Sequence, residues 1–119
     1  MAKILLVDDA AFMRMMLKTT LTQAGYTDLL EAEDGVQAVE TYNAEKPDLV
    51  FMDITMPNKD GLETLKEIKA SDPNATIVMC SAMGQEAMVM ESIKSGAKDF
   101  IVKPFKPERI LSTVKKILG

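Results

Sequence analysis

Short apolar runs alternate along the chain with longer stretches of helical period, five of each. The runs fall at 3 to 7 (KILLV), 28 to 32 (DLLEA), 48 to 52 (DLVFM), 75 to 80 (ATIVMC) and 99 to 102 (DFIV). The first, third and fourth are almost wholly apolar, as strands of a parallel sheet covered on both faces must be. Between them, Met13, Met16, Leu17, Thr20, Leu21 and Ala24 recur at intervals of three and four, the single stripe of an amphipathic helix, and Gly25 stands where it would end. Ala38, Val39 and Tyr42 repeat that spacing after Gly35, and Leu62, Leu65 and Ile68 mark a third helix. In a fourth, Met90, Ile93 and Ala97 predict the stripe that faces the sheet, which leaves Val89 and Met88 as surplus apolar surface. Ile110, Val114 and Ile117 mark the last helix, with Pro107 suited to its first turn. Strand and helix alternating in this way predict an α/β domain, a doubly wound five-stranded parallel sheet with helices on both faces.

In such a sheet every strand-to-helix loop lies at one edge, the carboxyl ends of the strands. Charge collects there. Asp8 and Asp9 follow the first run, Asp53 the third, Ser81 the fourth and Lys103 the fifth. Three carboxylates brought together repel, and partial desolvation sharpens the repulsion, so the cluster needs compensating cations. Lys103 supplies one charge, and a divalent ion with oxygen ligands supplies the rest, Mg²⁺ or Mn²⁺ suiting hard carboxylates better than zinc. The plainer alternative is a set of solvated acids at helix N-termini, favoured by the helix dipole. Convergence of all these positions on one edge favours a site. An aspartate flanked by a divalent cation, a lysine and a hydroxyl is equipped to accept a phosphoryl group.

Composition narrows the chemistry further. The 119 residues suit one domain, read as 1–119, and 47% apolar with 27% charged residues excludes disorder. Histidine is absent, which removes the histidine-based nucleophile arrangements and the usual zinc ligands. Cys80 is the single cysteine, so no internal disulfide forms, and it reads as a small buried hydrophobe in a reducing compartment. A net charge of −4 argues against binding along nucleic-acid phosphates. No apolar run approaches a membrane span and the N-terminus lacks a secretory layout, so a cytoplasmic protein with no membrane contact is expected. Neither GxGxxG nor GxxxxGK[ST] occurs, which disfavours a bound nucleotide as phosphate donor. Most of the ten methionines read as core filler. Glu31, Glu33 and Asp34 read as a solvated acidic loop. Lys98, Lys106, Arg109, Lys115 and Lys116 either solvate the last helix or attract an acidic partner segment.

With these residues in place the chain resembles a known family. LLVDDA, DLVFMDITMP, DGLETLKEI, the Ser81-Ala82 pair and GAKDFIVKPF together look like the response-regulator receiver domain of two-component signalling. DDAAFMRMML and CSAMGQEAMV look most like its single-domain chemotaxis regulators of the CheY type. The resemblance implies a flavodoxin-like (βα)5 receiver fold with strand order 2-1-3-4-5. It implies that Asp53 receives the phosphoryl group, that Asp9 and Asp53 bind Mg²⁺ directly with the Thr55 carbonyl, and that Asp8 acts mostly through metal-bound water. Ser81 would hydrogen-bond the phosphoryl group and Lys103 would pair with it. The Lys103-Pro104 bond is commonly cis in the family. Phe100 stands where relatives often carry tyrosine, keeping a ring that turns inward or outward but no hydroxyl. Thr55 and Met83 occupy the positions that flank the path of the hydrolytic water.

The implied function is a phosphorylation-activated chemotaxis switch, not an enzyme, that catalyses its own phosphorylation and dephosphorylation. Its implied partners are a CheA-like histidine kinase and a flagellar switch or phosphatase protein, met as a monomer through the face of the fourth helix, fifth strand and fifth helix. Two rival readings belong to other classes. A receiver piece of a DNA-binding regulator would carry the start of a linker, whereas the last predicted helix runs to the end of the sequence. An aspartate-nucleophile phosphohydrolase needs a second acid two residues after Asp53, where this chain has Thr55.

Overall fold

The computed structural model describes residues 2–119. Its elements follow in strict alternation: β1 Lys3–Val7, α1 Ala11–Gln23, β2 Asp28–Ala32, α2 Gly35–Glu45, β3 Leu49–Asp53, α3 Gly61–Ser71, β4 Ile77–Ser81, α4 Glu86–Lys94, β5 Asp99–Val102 and α5 Pro107–Leu118. The five strands form one sheet in the order β2-β1-β3-β4-β5, every neighbouring pair parallel. That is the doubly wound receiver architecture the sequence implied. Two strand ends differ from expectation in a way that matters to the site. β3 includes Asp53, and β4 begins at Ile77 and runs on to Ser81. Ala75 lies in the preceding turn, its N–H bonded to the Asp72 carbonyl.

Alternation along the interior strands divides the core between the two faces of the sheet. Leu5, Val7, Val50, Met52, Ile77 and Met79 point to the side covered by α2, α3 and α4, where Leu65, Ile68, Tyr42 and Val89 meet them. Ile4, Leu6, Leu49, Phe51, Val78, Cys80 and Ile101 point to the other side, beneath Leu17 and Leu21 of α1 and Ile110 and Val114 of α5. Asp34 caps α2 by accepting the Gln37 N–H at 2.9 Å, and Asp60 caps α3 by accepting the Glu63 N–H at 2.8 Å. Met52, Met56 and Met79 are core filler as expected, while Met15, Met83 and Met90 lie in solvent. Cys80 is buried, and burial pushes its thiol pKa up.

Helix α4 corrects the expected stripe. Val89 is buried with Ser92, whereas Met90 is 63% and Ile93 44% exposed. Ala97, just beyond the helix, is buried as expected. Ser92 tolerates the core because its hydroxyl donates to the Met88 carbonyl one turn back, at 2.8 Å. The helix is thereby rotated one position from the expected phase, and the surplus apolar surface consists of Met90 and Ile93. In α1 the terminal Ala24 is exposed and Arg14 takes a buried place on the stripe instead.

Candidate functional site

The acidic corner is built from the ends of β1, β3 and β5. Asp8 directly follows β1 and its N–H donates to the Ala32 carbonyl, so the chain leaves the sheet with the carboxylate turned inward at 2% exposure. One carboxylate oxygen of Asp8 accepts the Ala10 N–H at 2.9 Å, and the other accepts Lys103 Nζ at 2.9 Å. The same ammonium lies 3.1 Å from Asp53 Oδ1. Asp53 is itself 5% exposed, at the last position of β3 and in register with Cys80 of β4. Asp9 stays in solvent, yet Asp8, Asp9 and Asp53 each bring a carboxylate oxygen within 4.8 Å of the others.

Burial pushes the Asp53 pKa up to about 6 from its ordinary 3.8, with the Asp8 and Asp9 charges adding to the rise and Lys103 opposing it. For Lys103, burial works against the charged form, but the hydrogen bond to Asp8 and the Asp53 charge outweigh it, so its pKa is raised. The corner therefore keeps unsatisfied negative potential around oxygen donors only. That donor set fits Mg²⁺ and offers nothing to a soft metal.

The main chain fixes this corner from behind. Gly61 opens α3 so close to β3 that a Cβ there would lie 2.1 Å from the Asp53 carbonyl oxygen, and its N–H donates to the Ile54 carbonyl at 2.7 Å. Ile54 in turn donates to the Cys80 carbonyl at 3.1 Å, and the Lys103 N–H to the Ser81 carbonyl at 2.7 Å. Ser81 is buried at the end of β4. The Lys103-Pro104 peptide is cis, as the resemblance implied.

Thr55 and Met83 are exposed on the loops that follow β3 and β4. Phe100 lies at the margin of exposure on β5, 36% accessible, with Arg109 of α5 donating to its carbonyl at 2.7 Å. Together with Met90, Ile93, Val89, Val102 and Met83 it lines an apolar groove of about 460 Å³ that reaches back to Ser81.

Two site features were missed in the sequence. Arg14 donates from Nη1 to the Asp8 carbonyl at 2.6 Å and from Nε to Glu31 at 2.9 Å, and Lys18 also reaches Glu31. These bonds lower the Glu31 pKa. Glu31 is thus a partner in β2, and Asp34 a helix cap, where a solvated acidic loop had been expected. A signal existed: Arg14 stands three residues before Leu17 and seven before Leu21, on the buried stripe. The second feature is Gln85, whose amide joins the loops after β3 and β4. Nε2 donates to Thr55 Oγ1 at 2.7 Å and Oε1 accepts the Ala82 N–H at 2.6 Å.

A parallel sheet of this order, with an acidic corner closed by a strand-end lysine, defines a receiver domain, and the chain belongs to the response regulator receiver domain family, whose model matches residues 4–115. Receiver domains bind Mg²⁺ at such an acidic pocket, here Asp8, Asp9 and Asp53. Within the family the chain is a chemotaxis response regulator, a signalling switch rather than an enzyme of turnover. It is 59% identical over 115 residues to chemotaxis protein CheY of Thermotoga maritima, covering 97% of this chain and 96% of that protein. It is also 59% identical over 117 residues to chemotaxis protein CheY of Bacillus subtilis, covering 98% of each. Among solved structures, the CheX-CheY-BeF3-Mg²⁺ complex of Borrelia burgdorferi contains a chain matched at a TM-score of 0.93 and 37% identity, over 99% of this chain and 90% of that one.

Proposed function

We propose that Asp53 accepts a phosphoryl group from the phosphohistidine of a CheA-like histidine kinase. An Asp53 carboxylate oxygen forms the new P–O bond as the P–N bond breaks, and the leaving imidazole takes up a proton. The chain's own residues catalyse the step, as they do the later loss of the group to water. Lys103, held between Asp8 and Asp53, meets charge on the phosphoryl oxygens, and the Ser81 hydroxyl donates to one of them. Asp8, Asp9, Asp53 and the Thr55 carbonyl hold the Mg²⁺, for which Mn²⁺ substitutes. When bound, the ion supplies positive charge against the phosphoryl oxygens. Thr55 and Met83 flank the approach of water and set the lifetime of the phosphorylated form.

The signal leaves through the next strand. Ser81 moves toward the phosphoryl group, Phe100 turns into the space vacated, and the α4–β5–α5 face changes shape for a flagellar switch or phosphatase protein. The chain works as one cytoplasmic receiver unit, monomeric and without contact to nucleic acid or membrane. No helix among the described residues is long and apolar enough to cross a membrane.

The observation that carries the reading is the single ammonium of Lys103 shared at 2.9 and 3.1 Å by two buried strand-end carboxylates, with a third acid beside them. The test is labelling. Parent protein mixed with phosphorylated kinase, or with acetyl phosphate and Mg²⁺, is expected to take up phosphate that Asp53→Asn does not; label retained by that variant would refute the assignment.

A further inference from the structure

Gln85 is the N-cap residue of α4, yet its side chain makes no bond to its own helix. It reaches instead across the mouth of the acidic corner. Oε1 takes the Ala82 N–H at 2.6 Å, and Nε2 is anchored on the Thr55 hydroxyl at 2.7 Å. Ala82 directly follows Ser81, so its N–H is the next donor beyond the β4 end that Asp53 faces across the sheet. The segment between is otherwise lightly held: Met83 is 87% exposed, and Gly84, with φ of +89°, has nothing within 4 Å of where a Cβ would stand.

We propose that Gln85 is a positioning residue that restrains phosphorylation, by engaging the Ala82 N–H and tying the β4–α4 loop to Thr55 in the resting state. The proposal rests on Asp53 as the phosphoacceptor. A phosphoryl group on Asp53 places anionic oxygens at the end of β4, and an anionic acceptor binds a main-chain donor more strongly than a neutral amide does. Donors aimed at that charge favour its formation. While the amide of Gln85 holds Ala82, that donor is unavailable and the loop cannot follow Ser81 inward. Phosphorylation must therefore break one Gln85 bond, and usually both, because the same amide plane serves the two partners. The phosphoryl transfer itself is unchanged: with acetyl phosphate, the Asp53 oxygen attacks phosphorus and acetate leaves with the electron pair of the broken P–O bond.

The experiment compares parent, Gln85→Leu, Gln85→Asn and Thr55→Val for binding of beryllofluoride in saturating Mg²⁺ and for the rate of loading by acetyl phosphate. Gln85→Leu, similar in size and without the amide, is expected to bind beryllofluoride about three- to tenfold more tightly, the range that loss of one or two neutral hydrogen bonds in the resting state produces. Its loading rate should rise in parallel, while its Mg²⁺ affinity stays at the parent value. Gln85→Asn, one methylene too short to span both partners, should shift in the same direction, which separates bridging from mere polarity. Thr55→Val, which removes the anchor and keeps the Thr55 main-chain carbonyl, is read by beryllofluoride affinity alone, which hydrolysis does not affect, and should show a smaller shift of about two- to threefold. Amide exchange at Ala82 in the metal-free protein should quicken in Gln85→Leu. Beryllofluoride affinity and loading equal to or below the parent in Gln85→Leu, with Mg²⁺ binding intact, overturn the proposal. If that variant does not fold, unchanged affinity in Thr55→Val overturns it. A parent whose beryllofluoride binding is no stronger than that of Asp53→Asn overturns the phosphoacceptor reading itself, a result distinct from equal affinities in parent and Gln85 variants.

Discussion

The acidic corner and the α4–β5 face lie on adjoining parts of one sheet and are built on opposite terms. In the corner, Asp8 and Asp53 are buried and share a lysine, with the exposed Asp9 beside them, so the residual imbalance is electrostatic and a small hard cation can satisfy it. On the face, Met90, Ile93, Phe100 and Val102 are large, apolar and open to water, and the imbalance is one of uncovered surface. The first can be answered by a small cation and, on the proposed function, a phosphoryl group; the second only by another chain or by rearrangement. Ser81 belongs to both: it ends β4 beside Asp53, and it lines the groove that Phe100 borders.

The comparison can be broken at the corner most severely. Lys103→Met removes the cation shared by Asp8 and Asp53 and is expected to destabilise the metal-free fold by about 2 kcal/mol at neutral pH, less than for a fully buried pair because Lys103 is partly solvated. Urea denaturation in EDTA measures this. The loss should shrink near pH 5, where Asp53 takes up a proton, and a deficit unchanged with pH would mean that the acids are not mutually strained.

Ser81→Ala tests the link between the two regions. Beryllofluoride added to the parent should shift the NMR signals of Phe100 and Ile93. In the variant the switched population is expected to fall about tenfold although Asp53 still binds the mimic. Shifts of parental size would place the link in another element.

Asp53→Asn changes sign relative to Lys103→Met, and is expected to stabilise the metal-free protein by about 1 kcal/mol at pH 7, the pKa shift being discounted for solvent screening. The Asp53 pKa is raised in the fold, to about 6 from 3.8, so its contribution to stability is full below 3.8 and lost as pH rises through about 6. The advantage of the variant should accordingly grow between pH 4 and 7. A parent and variant with parallel pH profiles would contradict the raised value. Asp8→Asn should gain less, since the Asp8 carboxylate already holds both Lys103 and the Ala10 N–H.

The smallest effects sharpen the phase of α4. Val89→Ala should cost about 1 kcal/mol, whereas Met90→Ser should stay within about 0.5 kcal/mol in thermal or urea unfolding. The reverse ranking would restore the stripe first expected from the sequence.

What was legible follows from the kind of signal each feature leaves. Strands β1, β3 and β4 declare themselves by unbroken apolar runs, and once the sheet is parallel, Asp8, Asp9, Asp53, Ser81 and Lys103 must share an edge. The phase of α4 was not legible, because Val89, Met90, Ile93 and Ala97 support two stripes one residue apart. The structure takes the one that buries Ser92, whose hydroxyl is satisfied within the helix by donating to Met88. Which of two adjacent acids is buried was equally hidden, since Asp8 turns inward only through its bonds to Ala10 and Lys103. Arg14 and Gln85 escaped for a related reason. Arg14 left a period, its place on the buried stripe, but the partners of both residues are main-chain groups and side chains on other elements, and polar pairings at such separations leave no period in the sequence.

Gly61 gives the site a direction. With the start of α3 in contact with the Asp53 carbonyl and no room for even a methyl group, the wall behind the acid is a mechanical stop. If Asp53 is phosphorylated as proposed, its main chain has no slack to shift toward α3. Displacement is deflected sideways, across β4, where Gly84 leaves the following loop open. On the proposed reading the receiver is in this sense a one-way transmission: a rigid bearing on the α3 side and a compliant one toward β5 would make the α4–β5 face the cheapest place for the strain to go.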